Sequence, residues 1–414
     1  MTDGRVDLPR TSVPMALPVG WHWVKLGEVC DIVMGQSPPG ASYNEKGDGV
    51  PLLNGPTEFG AIYPVATQWT TAPTKSAIHG DILFCVRGAT TGKKNMADRG
   101  YCIGRGLAAI RAKEGKSCAE FIWYLLDVVT GTLLQKAAGS TFINLPGAAL
   151  EVFPIPLPPL SEQRRISEVL REQMTAVEKA RAAAQARLEA VTAMAAAFLR
   201  KAFPLPGQPL PPGWRWAMLG ECGEVVSGVT LGRKLNGAVI REVAYLRVAN
   251  VKDGHLDLDD LATTPATEEE IRTLSLKQGD LLLTEGGDAD KLGRGTIWEA
   301  QIQECIHQNH IFRVRLESDG LIPDFVALQI ASPHGKEYFL RHAKQTTGIA
   351  TINQRVLKAL PLMLPSAPEQ QRIAALLRDQ MAAVEKARAA VEQEVATINA
   401  LPPVLLRRAF NGEV

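Results

Sequence analysis

No apolar run in the chain approaches the roughly 20 residues that a bilayer crossing needs. Met1-Thr2-Asp3-Gly4-Arg5 does not open on the apolar stretch of a secretory signal. A membrane span and export are therefore not expected, and a cytoplasmic location is. The six cysteines, Cys30, Cys85, Cys102, Cys118, Cys222 and Cys305, are scattered without a Cys-x-x-Cys pair. Buried thiols in a reducing compartment fit that scatter better than disulfides or zinc. Neither sign of charge is in excess, since 45 Lys and Arg against 44 Asp and Glu leave a net charge of +1. Such an average neither announces nucleic-acid binding nor excludes a local basic patch.

Catalytic signatures are lacking too. There is no Asn/Asp-Pro-Pro-Tyr/Phe tetrad of amino-methyltransferases. Gly104-Arg105-Gly106 is a lone Gly-x-Gly, and Gly232-Arg233-Lys234 is not a phosphate loop. Glu114-Gly115-Lys116 has no convincing carboxylate partner for nuclease chemistry. His307 and His310 bracket Gln308-Asn309 without the further His or Cys of a metal set. Recognition, rather than catalysis, is the expected task, and no metal or cofactor is expected in the chain itself.

What the chain does have is a repeat. Glu162-Gln163-Arg164-Arg165-Ile166, followed by Met174 and Val177-Glu178-Lys179-Ala180-Arg181-Ala182, returns 207 residues later as Glu369-Gln370-Gln371-Arg372-Ile373, followed by Met381 and Val384-Glu385-Lys386-Ala387-Arg388-Ala389. Trp21-x-Trp23-x-x-Leu26-Gly27-Glu28 returns at Trp214 to Glu221, and Gly80-Asp81-Ile82-Leu83 at Gly279-Asp280-Leu281-Leu282. Thr141-Phe142-Ile143-Asn144 matches Ala350-Thr351-Ile352-Asn353 at an offset of 209, and Leu199 to Phe203 matches Leu406 to Phe410. A self-similarity of this length means two copies of one domain-plus-helix unit.

Short apolar runs broken by Gly, Pro, Asn and Asp predict strands and loops from about 17 to 160 and again from about 204 to 366, with one helical stretch in each, around Phe121 and Phe325. Each globular half is thus α+β. Pro154 to Pro159 and Pro361 to Pro365 read as extended connectors. Helices are predicted just beyond, with Ser161 as N-cap of the first and a capping box at Ser366 to Glu369 for the second. Leu170, Val177, Ala184, Val191 and Phe198 recur every seven residues, as do Leu377, Val384, Val391, Ile398 and Leu405, with Ile166 and Leu188 at intermediate positions and Ile373 as the copy of Ile166. This seam predicts helix-on-helix packing. About 40 residues span about 60 Å, and the second helix is expected to break near Pro402-Pro403. The expected division is 1–160, 161–203, 204–366 and 367–414.

The same order of motifs occurring twice resembles the specificity subunit of type I restriction–modification systems, over about 17 to 414. Pro156-Leu157-Pro158-Pro159-x-x-Glu162-Gln163-Arg164-x-Ile166, Pro368 to Ile373 and the ending Arg407-Arg408-Ala409-Phe410-Asn411-Gly412-Glu413-Val414 carry it further. The resemblance implies two target-recognition domains, each reading half of a gapped double-stranded DNA target, and two antiparallel coiled-coil helices, related by pseudo-twofold symmetry, that set the gap. Two modification subunits would bring S-adenosylmethionine and adenine methylation, and restriction subunits would bring ATP and Mg; this chain would be a non-catalytic DNA-binding subunit.

Candidate DNA-contacting residues follow from side-chain chemistry. Between Gly80 and Lys116 eight basic residues face three acids. Within it, the loop Arg87 to Lys94 offers Arg87, Thr90, Thr91, Lys93 and Lys94. The matching stretch of the second half offers Lys291 and Arg294, and Gln308, Asn309 and Arg313 are further candidates. Alternatives are a specificity subunit of a fused restriction–methylation (type IIB-like) system, a self-sufficient DNA nuclease or methyltransferase, and a helical scaffold that binds protein.

Overall fold

The computed structural model describes residues 17–137, 144–204, 208–235, 239–287, 292–317, 320–346 and 349–414. They fall into two compact units, one formed by the chain up to Ala184 together with Glu394–Val414, the other by Gln185–Gln393.

In the first unit the run Ile82-Leu83-Phe84-Cys85 is apolar at every position because both faces of its strand are covered. It lies inside a four-stranded antiparallel sheet ordered Cys30–Met34, Leu107–Ala112, Ile82–Cys85, Lys94–Met96. Ile82 and Phe84 face Phe121, Ile122 and Leu125 of the helix Ala119–Ala137. Leu83 and Cys85 face Leu53, Tyr101 and Ile103 of a five-stranded sheet. The second unit repeats the frame with strands Gly223–Ser227, Ile311–Leu316, Leu281–Thr284 and Gly295–Ile297 in the same order. Leu281 and Leu283 face Phe325 of the helix Pro323–Ala331, while Leu282 faces Trp298 and Leu246.

The proline-rich connectors are strands. Pro154–Leu157 pairs antiparallel with His22–Lys25, and Pro361–Leu364 with Arg215–Met218, each pair forming a two-stranded sheet of its own. Such a strand has one neighbour, so prolines facing away from it cost no ladder hydrogen bond. The Trp-x-Trp motifs lie along the partner strands. Trp21 and Trp214 are anchors: Trp21 packs edge-on against Phe121 and Phe410, and Trp214 against Phe325, which meets Phe203 at 5.4 Å. Trp216 is 46% exposed.

The first long helix runs Leu160–Ala202 and the second Ala367–Phe410. Ser161 therefore sits within the first turn rather than capping it. Glu369 pairs with Arg372 instead of reaching back to Ser366. In the first unit Ile166 and Leu170 share a core with Leu406, Ala409 and Phe410, and Val177 and Ala184 pack with Ile398. The two helices thus meet in opposite directions. In the second unit Leu199, Phe203 and partly buried Phe198 meet Ile373 and Leu377. Val384 is buried, whereas Val191 and Val391 are half-buried.

The expected break at Pro402-Pro403 does not occur; the second helix continues to Phe410. Proline inside a helix costs about 3 kcal/mol. Burial of Ile398 before the pair and of Leu406, Ala409 and Phe410 after it exceeds that, at roughly 1.5–3 kcal/mol per large apolar side chain. The offset of 209 is also corrected. Leu145 donates its N–H to the Val86 carbonyl as Ile352 does to that of Glu285, at 2.9 and 2.8 Å. Leu145 is therefore equivalent to Ile352, and the offset of 207 already holds ahead of the helices; Thr141, Phe142 and Ile143 lie outside the described residues.

Candidate nucleic-acid interface

Antiparallel pairing brings four strand ends, with the loops they carry, to one end of each four-stranded sheet. In the first unit these are the end of Cys30–Met34, the start of Leu107–Ala112, the end of Ile82–Cys85 and the start of Lys94–Met96. The backbone there is closed by Gln36 N–H to Ile103 O, Gly104 N–H to Leu53 O, Leu107 N–H to Gly104 O and Val86 N–H to Gly106 O, all at 2.8–3.0 Å. The second unit has the same four bonds: Val229 to His307, Gln308 to Leu246, Ile311 to Gln308 and Glu285 to His310, all at 2.9 Å.

The loop Arg87 to Lys94 is a hairpin at this end. Thr91 donates both its N–H and its hydroxyl to Gly88 O, at 3.1 and 2.6 Å, and is buried. Thr90 lies half-buried with its hydroxyl 3.4 Å from the Cys85 thiol. These threonines hold the loop's shape. Gly92 has φ +95°, and a Cβ there would lie 2.5 Å from Thr130 Cγ2, so glycine at this position serves packing against the helix. Lys94 is corrected outright: its side chain is 8% exposed, ion-paired with Asp127 and 4.3 Å over the Trp123 ring. Burial pushes its ammonium below the ordinary lysine range, with Asp127 opposing. Lys94 is the first residue of its strand and packs against the helix Ala119–Ala137, whereas Lys93 is the last residue of the loop before it. Arg87 and Lys93 are exposed, as is Arg105.

In the second unit Arg294 directly precedes the equivalent strand Gly295–Ile297, half-buried, with its Nε enclosed and without a partner. Gln308 and Asn309 form the turn into Ile311–Leu316 and are half-buried. Beside them Glu285 pairs with His310 at 2.5 Å. Lys291 lies outside the described residues. Arg313 is corrected as a DNA candidate: it is 1% exposed, ion-paired with Glu224 and donates to Thr273 O at 2.9 Å. Burial pushes its guanidinium below the usual arginine range.

Two repeated polar devices were not expected from the sequence. Asp81 and Asp280, each 1% exposed, accept paired bonds from Arg111 (2.8 and 2.8 Å) and Arg315 (2.8 and 2.6 Å). These bonds raise both guanidiniums above their ordinary value. The Gly-Asp motif is thus a clamp across the sheet. Gln163 donates to Pro158 O and Lys116 O and accepts from Cys118 N–H, while Gln370 donates to Pro365 O and accepts from Ile322 N–H. Each glutamine is buried and ties the start of a long helix to the start of its unit's own helix. The doubled Glu-Gln was the available signal.

Among the described residues no group of three or more His, Cys, Asp or Glu side chains could hold a metal ion, and no helix is long and apolar enough to cross a membrane. With the geometry in place, a family profile described as "Type I restriction modification DNA specificity domain" matches residues 18–184 and again 213–393. The chain belongs to this family. Its two copies of the specificity domain coincide with the two repeats. Similar relatives include a putative type I restriction enzyme MjaX specificity subunit of Methanocaldococcus jannaschii, 39% identical over 177 residues, covering 40% of this chain and 41% of the relative. The EcoKI specificity subunit of Escherichia coli is 25% identical over 307 residues, 67% of this chain and 61% of the relative. The chain thus spans less than two thirds of the length of these two relatives. The EcoBI specificity subunit of Escherichia coli is 22% identical, over 95% of this chain and 86% of the relative. Two solved structures share the fold at 22% identity. One, described as concerning complex assembly and conformational transition of the type I R-M system, has a TM-score of 0.78 and covers 97% of this chain and 100% of its own. The HsdS subunit of Thermoanaerobacter tengcongensis has a TM-score of 0.62, covering 97% and 99%.

Proposed function

We propose that this specificity-family chain is the non-catalytic DNA-reading subunit of a type I restriction–modification assembly. Each unit reads one half of a gapped duplex target with the loop-bearing end of its four-stranded sheet. The two long helices set the gap and dock two modification subunits, whose S-adenosylmethionine chemistry acts on adenine; restriction subunits contribute ATP- and Mg-dependent cleavage. The observation that carries the reading is the pairing of one backbone frame, held by the same four hydrogen bonds, with different side chains at the same end of each unit. A frame that repeats while its exposed residues differ suits two half-sites of different sequence.

The test is a genome-wide map of methylated adenines with the gene intact and deleted. Loss of one asymmetric, gapped motif on deletion supports the reading. An unchanged map in cells that express the chain and its methyltransferase would sink it.

A further inference from the structure

Gly104-Arg105-Gly106 is a poor signal for a nucleotide loop, yet the structure gives each of its three residues a use. A Cβ on Gly104 would lie 2.5 Å from Asn54 Oδ1, and one on Gly106 would lie 2.5 Å from Asn54 O. Gly106 is therefore restricted to glycine by the backbone packed beneath it, and Gly104 is crowded by the Asn54 side chain. The Leu107 N–H bond to Gly104 O closes the turn, with Arg105 at its first corner, and the Gly104 and Gly106 backbones are tied to Leu53 and Val86. The arginine is exposed on a backbone that has no room to shift. The ladder ends where Leu107 pairs with Cys85, and Val86 N–H bonds to Gly106 O, so Arg105 and Arg87 both lie just beyond that end of the sheet.

The second unit builds the same corner. Ile311 N–H bonds to Gln308 O, Gln308 N–H to Leu246 O and the His310 carbonyl to Glu285 N–H, each replacing a bond of the first unit one for one. The residue at the first corner is Asn309, whose own N–H is held by Val229 O at 2.9 Å.

We infer that this corner is the specificity-determining position of each unit, with Arg105 reading a guanine in one half-site and Asn309 an adenine in the other. The inference rests on the proposed DNA-reading function. Arginine's two parallel donors match guanine O6 and N7, while asparagine's donor and acceptor match adenine N6 and N7, both in the major groove. A two-point contact of this kind demands a fixed backbone, which the turn supplies; a phosphate contact would not. Arg87 and Lys93, beside Arg105 on the same sheet end, suit the flanking phosphates, where charge alone suffices.

The experiment selects binding sites from randomised duplex DNA with the full chain assembled with its methyltransferase partner, as wild type, Arg105→Ala and Asn309→Ala. Each variant is expected to lose about tenfold to a hundredfold discrimination at a single position. That position is a guanine in one half-site for Arg105→Ala and an adenine in the other for Asn309→Ala. Every other position should keep its preference. Variants that keep the whole motif, weaken all sequences equally or relax a different base would overturn the inference while the wild-type motif still supports the function. A wild-type assembly that selects no two-part motif would remove both.

Discussion

The ends of the two four-stranded sheets share a backbone and differ in charge. In the first unit Arg87, Lys93 and Arg105 stand exposed together. In the second, the matching end carries the Glu285–His310 pair, Asn309 and a half-enclosed Arg294. Below the ends the units converge again, on Asp81–Arg111 and Asp280–Arg315, on Gln163 and Gln370, and on the aromatic trios Trp21, Phe121, Phe410 and Trp214, Phe325, Phe203. The contrast separates what holds a unit together from what it can touch. The first set is the same in both units and largely buried; the second is exposed or half-buried and differs between them.

The frames can be broken in parallel. Phe410→Ala and Phe203→Ala should each cost about 3–5 kcal/mol, since both rings are fully buried. Hydrogen exchange should place the first loss in the first unit and the second loss in the second. Loss spread evenly over both units would contradict the division. A sharper asymmetry comes from acid. His307 is buried in the second unit, its Nδ1 2.9 Å from the Ile311 carbonyl, and burial takes the imidazole down to about 4; the first unit has Ile103 at that place. With the folded value below the unfolded 6.5, stability is full above about pH 6.5 and falls as pH drops toward 4, by about 3 kcal/mol at the limit. His307→Asn keeps a donor and removes the titration, so its unfolding midpoint should fall less steeply between pH 6.5 and 4. Parallel curves would rule the histidine out as the source.

Gln163→Leu strands the Cys118 N–H and two carbonyls, and Gln370→Leu strands the Ile322 N–H and one; each should cost about 2 kcal/mol in denaturant melts. A neutral result in either would mean that water replaces the amide. The smallest effect is Lys93→Ala, expected to weaken DNA binding a few-fold for all sequences and to lower the salt slope by about 1. Lys94→Ala should instead act on stability, through Asp127 and Trp123. If the two exchanged phenotypes, the inward placement of Lys94 would be untenable.

The repeat, the α+β halves and the paired helices were legible because each leaves a period or a copied motif. Single side chains were harder. Lys93 and Lys94 are chemically alike, and only the point where the loop becomes a strand leaves one in solvent and sets the other against Trp123. Arg313 lies in an apolar strand, and its partner Glu224 is 89 residues away, a separation no local pattern encodes. Pro154 to Leu157 reads as a connector because proline opposes ladders in general; its partner strand lies more than a hundred residues earlier. Pro402-Pro403 reads as a break because packing on both sides of it is invisible along the chain.

The second unit is one continuous stretch of chain, whereas the first is closed by Phe410, which seats against Trp21 and Phe121. On a ribosome this difference becomes a schedule. At roughly 5–20 residues per second, the first unit waits tens of seconds with its aromatic pocket open while about two hundred further residues emerge. The half of the protein made first is therefore the half completed last, and its unfilled pocket is the surface that folding helpers would meet.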